Sequence, residues 1–178
     1  MHNLAERYTA NYPDALIISP RFTEESSACE VSRDSSTIRW RPARQSPRVN
    51  FDRIEVALDC PIHPSIKCFY QTFWCGPMHL RFEKSKIDLI QLWNEDDFEH
   101  LIENIFGHYL QQQRFKQAFT FFFATGDEPS EEVYSVQNET GHVVRETPGP
   151  SSIQVRLADD LGVFLDQLTC RVPGVLSA

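Results

Sequence analysis

A chain of 178 residues, 41% hydrophobic and 24% charged, is long enough to bury a core without disulfides and too apolar to be disordered throughout. No run approaches the roughly 18–20 apolar residues that span a bilayer, and MHNLAERYTANYP lacks a basic region followed by an apolar one, so cytoplasmic residence is expected. The formal charge of −8 is uneven: residues 1–50 hold seven Lys/Arg against six Asp/Glu, residues 51–178 ten against nineteen. That field disfavours nucleic acid and bare anionic lipid and leaves a basic protein surface as the electrostatic partner.

Residues 1–50 read as a variable segment, either partly mobile or wrapped on the core. A short helix is predicted around Leu4–Tyr12 and a strand over Thr37–Arg41, on either side of a Ser-rich, charge-mixed run from Thr23 to Thr37. From Phe51 onward the texture is more regular. Ile66–Trp74, Met78–Phe82 and Lys86–Trp93 are rich in aromatic and aliphatic residues and separated by short turns, which predicts three consecutive antiparallel strands.

A helix follows, running to about Gln113. Phe98, Leu101, Ile102, Ile105, Phe106, Tyr109 and Leu110 keep the spacing of one buried face. Its start is crowded with carboxylates: Asn94 is a natural cap, Asp97 is placed to reach back to it, and Glu95 and Asp96 face the positive end of the dipole. Gly107, about 1 kcal/mol poorer than Ala inside a helix, predicts close approach by a neighbouring element. Phe119–Ala124 reads as a doubly buried strand, and Val133–Gln137 and His142–Glu146 as a hairpin around Asn138–Gly141. One more strand near Ile153–Leu157 leads to a closing helix that buries Leu161, Phe164, Leu165 and Leu168, with Asp159 or Asp160 near its start. This order of elements predicts a single α+β domain, with residues 51–178 as its regular part.

The catalytic inventory is poor. None of the phosphate-cradling, zinc-protease or serine-hydrolase signatures occurs, only seven glycines are present, and no cofactor motif is found. Cys60, His63, Cys75 and His79 have spacings that four zinc ligands can adopt, which leaves a small zinc or thiol enzyme as a minor reading beside the blander one of buried thiols and a surface histidine. His100 and His108 sit two helical turns apart, roughly 12 Å, and cannot share an ion. Five cysteines, odd in number and without a C-x-x-C pair, read as reduced thiols.

The runs IHPSIKCFYQTFWCGPMHLRF, IDLIQLWNEDDFEHLIENIFGHYLQQQRFKQAFTFFFAT, VYSVQNETGHVVRETPG and LADDLGVFLDQL resemble the Syd family, the SecY-interacting proteins of bacteria. The likeness covers roughly residues 51–168, is most specific from Gln91 to Gln113, and thins upstream. It implies a curved, mostly antiparallel sheet flanked by helices, no catalysis and no cofactor. It further implies a cytoplasmic protein held peripherally on the inner membrane through SecY, regulating or sequestering improperly assembled channel. Cytoplasmic loops of membrane proteins are rich in Lys and Arg, which an acidic surface can grip. Strand alternation and helix position put Glu83, Asp88, Glu95, Asp96, Asp97 and Glu103 forward as that surface, on a protein expected to be a monomer. An immunity-type inhibitor of a basic bacterial toxin is the other reading that the same charge would serve.

Overall fold

A computed structural model describes residues 1–12, 16–18, 25–126 and 131–171. The centre is a seven-stranded, curved antiparallel sheet in the spatial order β11-β10-β9-β8-β7-β6-β12. Its strands are β6 (Met78–Phe82), β7 (Ser85–Leu89), β8 (Thr120–Thr125), β9 (Val133–Gln137), β10 (Val143–Glu146), β11 (Gln154–Ala158) and β12 (Thr169–Cys170). β6 to β11 follow one another in space as in sequence, so short turns join most of them; the exception is β7 to β8, where the long helix α4 (Glu95–Arg114) is inserted. Two smaller sheets complete the strands. β1 (Leu16–Ile18), β3 (Ile38–Trp40) and β2 (Glu30–Arg33) form one, and β4 (Ala43–Arg44) pairs with β5 (Phe73–Trp74) in the other. The result is a single-domain α+β fold.

An aromatic ladder fills the core. Phe164, on the closing helix α5 (Leu161–Gln167), packs among Phe82, Phe123 and Tyr134, edge-on to Phe123 and tilted to the other two. Phe51 bridges Phe98 of α4 to Phe121 of β8. Each of these rings removes on the order of 150–250 Å² from water when buried, and Phe51, Phe121, Phe123 and Phe164 are almost wholly buried. The caps follow the sequence: Asp160 accepts from the Val163 N–H at 2.9 Å and so opens α5.

The N-terminal segment contributes to this core. Helix α1 (His2–Asn11) buries Leu4, Ala5 and Tyr8. Arg7 donates to the carbonyls of Leu165, which also accepts the Leu168 N–H, and of Leu168 at the end of α5, and the Tyr8 hydroxyl accepts from the His79 N–H.

Ile66–Trp74 is not a strand. Helix α3 (Pro64–Tyr70) takes most of it, and only Phe73–Trp74 is extended. Ile66, Phe69, Tyr70 and Phe73 are spaced for one helical face as well as being β-rich, and the start chemistry decides between the two. Pro64 occupies the first helical position, where its missing N–H costs nothing, and the His63 side chain accepts from the Ser65 N–H. The predicted strand over Lys86–Trp93 ends at Leu89, because the chain then turns toward the cap of α4. A further helix, α2 (Asp52–Leu58), precedes α3 and lies against α4. The run Thr23–Thr37 holds the four-residue β2, and its first two residues lie outside the described residues.

Candidate functional site

The acids at the start of α4 divide by role. Asn94 is extended (φ −152°, ψ −168°), and its side chain accepts from the Asp97 N–H at 3.0 Å. Asp97 reaches back in turn, but to the N–H of Trp93, one residue before the cap, at 2.9 Å. That exchange satisfies backbone donors the helix cannot, and it occupies the Asp97 carboxylate. Glu95 and Asp96, one and two residues beyond the cap, are exposed at the positive end of the helix dipole and make no ion pair among the described residues.

Farther along, Phe98, Leu101 and Ile105 turn inward, so the positions opposite them, Asp96, Glu99 and Glu103, turn outward. Glu99 meets Arg53 of α2 at 3.0 Å in an exposed pair, which is worth little. Glu103 makes no ion pair among the described residues and lines a groove of about 230 Å³ between α2 and α4, with Arg53, Ala57, Ile102 and Phe106. The sequence reading leaves Glu99 out of the acidic patch. Its signal was the four-residue spacing from Glu95 through Glu99 to Glu103, which aligns all three along one helix surface.

The remaining two acids belong to the β6–β7 hairpin. Glu83 is exposed in the turn, in the left-handed region at φ +52°. Asp88 lies opposite His79 in the strand register, and its Oδ1 meets His79 Nδ1 at 2.8 Å and the Arg171 guanidinium as well. Partial burial works to raise the Asp88 pKa, but the hydrogen bond and charge of His79, with the charge of Arg171, outweigh it and hold the carboxyl below its ordinary value. The next pair on the same face of the hairpin is Arg81 with Lys86, so Asp88 is set among cations of its own chain. The six predicted residues thus fall in two places: four on the first turns of α4, two on the hairpin.

Cys60, His63, Cys75 and His79 each have other engagements. His63 Nδ1 lies 2.8 Å from the Ser65 hydroxyl while capping α3, and His79 faces Asp88. Cys75 is buried, which pushes its thiol well above the ordinary value and away from a reactive thiolate. Cys60 contacts the Pro61 carbonyl and the Asn138 amide. Among the described residues no group of three or more His, Cys, Asp or Glu side chains is arranged to hold a metal ion. No described helix is long and apolar enough to cross a membrane.

One buried polar cluster went unread in the sequence. Thr120 donates to Glu146 at 2.5 Å and receives the Gln112 amide at 2.7 Å, His108 Nε2 lies 3.1 Å from the same hydroxyl, and Gln154 donates to the other Glu146 oxygen at 2.8 Å. Thr120, Gln112 and Glu146 are buried, and burial lowers the His108 pKa despite the Glu146 charge nearby. It ties the C-terminal half of α4 to β8, β10 and β11, and so fixes the helix that carries the acids.

The family model described as Syd protein (SUKH-2) matches residues 1–170, including the N-terminal segment. A protein from Cronobacter sakazakii named Protein Syd is 37% identical over 155 residues, covering 87% of this chain and 84% of its own length. Proteins of the same name from Escherichia coli O81 and Alteromonas mediterranea are 40% and 36% identical, over 80% and 79% of this chain and 77% and 76% of their own lengths. By the family match across nearly its whole length and by these relatives, the chain belongs to the Syd family.

Proposed function

We propose that this chain is a non-catalytic binding protein that associates with basic cytoplasmic loops of the SecY channel and regulates or sequesters improperly assembled SecY. Family membership supports the class of activity. The observation that carries the surface is the row of exposed carboxylates on α4: Glu95, Asp96 and Glu103 have no ion pair among the described residues, and Glu99 has only an exposed one. Charges already neutralised inside the molecule have little field left for a partner, whereas the three unpaired ones project theirs into solvent.

The same arrangement accounts for where such a protein would stand. An acidic face is repelled by the anionic cytoplasmic leaflet and drawn to protruding Lys- and Arg-rich loops, so its contact with the membrane runs through the channel and the protein itself stays on the cytoplasmic side. Of the acids on the hairpin, Glu83 is exposed without an ion pair among the described residues and joins this field, and Asp88 contributes less, being held by His79 and Arg171. Asp97 acts chiefly by setting the helix start.

Charge reversal tests the reading. Asp96→Lys with Glu103→Lys should leave the thermal melt close to wild type, since both side chains are exposed, and weaken binding to SecY-containing vesicles by on the order of tenfold or more. Unchanged binding by a folded double variant removes the α4 face from the contact.

A further inference from the structure

The outward face of α4 is acidic for only half its length. Beyond Glu103 the same face carries Phe106 and Leu110, one helical turn apart and 38% and 52% exposed, with Gly107 to one side of them, one turn after Glu103. The sequence predicts a neighbouring element packed closely on Gly107. The structure corrects this: a Cβ placed there meets no atom within 4 Å. A mid-helix glycine costs about 1 kcal/mol relative to alanine, and nothing described in this chain uses the space it leaves.

Three features therefore coincide on one surface: two exposed apolar side chains, a patch of bare helix backbone beside Leu110, and a carboxylate row leading up to them. The α2–α4 groove, with Ala57 and Ile102 in its lining and Glu99 and Glu103 at its side, runs into the same area. Solvated helix surfaces gain nothing from exposed Phe and Leu, and a missing side chain beside such residues is what lets a second helix approach closely.

We propose that this face of α4 docks one amphipathic basic helix of the partner, its Lys or Arg residues over Asp96, Glu99 and Glu103 and its apolar residues over Phe106, Gly107 and Leu110. Charge complementarity chooses the occupant: the carboxylate row of α4 disfavours a second copy of this chain, whose regular part has the same sign. The inference rests on the SecY-binding reading above and adds to it an apolar anchor that does not depend on salt.

The test uses the full chain and SecY-containing membrane vesicles, with SecY-free vesicles of the same lipid as control. Leu110→Gln changes an exposed side chain, and Gly107→Leu introduces a good helix former into open space, so both variants should fold, which a thermal melt checks. Each should weaken binding by on the order of tenfold, at low and at high salt alike, whereas Glu103→Gln should weaken it chiefly at low salt. Wild-type binding that Leu110→Gln and Gly107→Leu leave unchanged overturns the docking proposal while sparing the SecY reading. Absence of wild-type binding at low salt overturns both.

Discussion

Asp97 accepts the backbone N–H of Trp93 at 2.9 Å, while its own N–H is accepted by Asn94. One acid in a row of three is thus a structural part of the helix start, and its neighbour Asp96 is not. Asp97→Ala should lower stability by about 1 kcal/mol in urea unfolding, and Asp96→Ala by a few tenths at most. Equal losses would mean that the dipole interaction, shared by both acids, outweighs the hydrogen bond.

The Asp88 carboxyl is held below its ordinary pKa by His79 and Arg171. A depressed carboxylate pKa stabilises the fold above the unfolded value, near 3.9, and that stabilisation is lost as pH falls through the folded value. Asp88→Asn should therefore be less stable than wild type at pH 7, with the gap closing below about pH 4. A gap that persists in acid would show that the loss comes from packing.

Burial lowers the His108 pKa below its ordinary value, against the Glu146 charge. Burial favours its neutral form, so the unfolded chain takes up a proton first, and stability should begin to fall as pH drops below about 6.5. His108→Gln should flatten that part of the pH–stability curve. Thr120→Val, which withdraws a donor from buried Glu146, should cost about 1–3 kcal/mol at neutral pH.

Two glycines should respond with opposite signs. Gly107→Ala fills open space on a helix and should raise stability by about 1 kcal/mol. Gly141→Ala meets the His63 ring at 2.6 Å in a residue at φ +77° and should cost about 1–3 kcal/mol. Calorimetric melts of both variants decide this.

Local pattern made much of the molecule legible. The inner stripe of α4 at Phe98, Leu101 and Ile105, the Asn94 cap and the hairpin at Gly141 all rest on spacings of a few residues, and the structure has them where those spacings put them, whereas Phe106 and Leu110, which the same spacing counts in the buried face, stay 38% and 52% exposed. α2 is two turns long, too short for its period to stand out, and α3 is hidden by β-rich side chains although Pro64 marks its start. Of the candidate site, what local pattern made legible is the row of acids on the helix. Asp88 does alternate with inward-facing Ile87 and Leu89, but its neutralising partner Arg171 is 83 residues away, and no local pattern announces such a contact. The same holds for Glu146 and Thr120, which are brought together by β8 and β10 on either side of β9.

The central claim is that an acidic face grips basic loops of SecY. The most direct measurement is equilibrium binding of the purified protein to SecY-containing vesicles across a salt series, beside vesicles of the same lipid without SecY. The account predicts binding to the SecY vesicles alone, weakening as salt rises and the screening length shrinks from roughly 10 Å at 0.1 M to 3 Å at 1 M. Equal binding to lipid alone, or none to SecY at low salt, would contradict it.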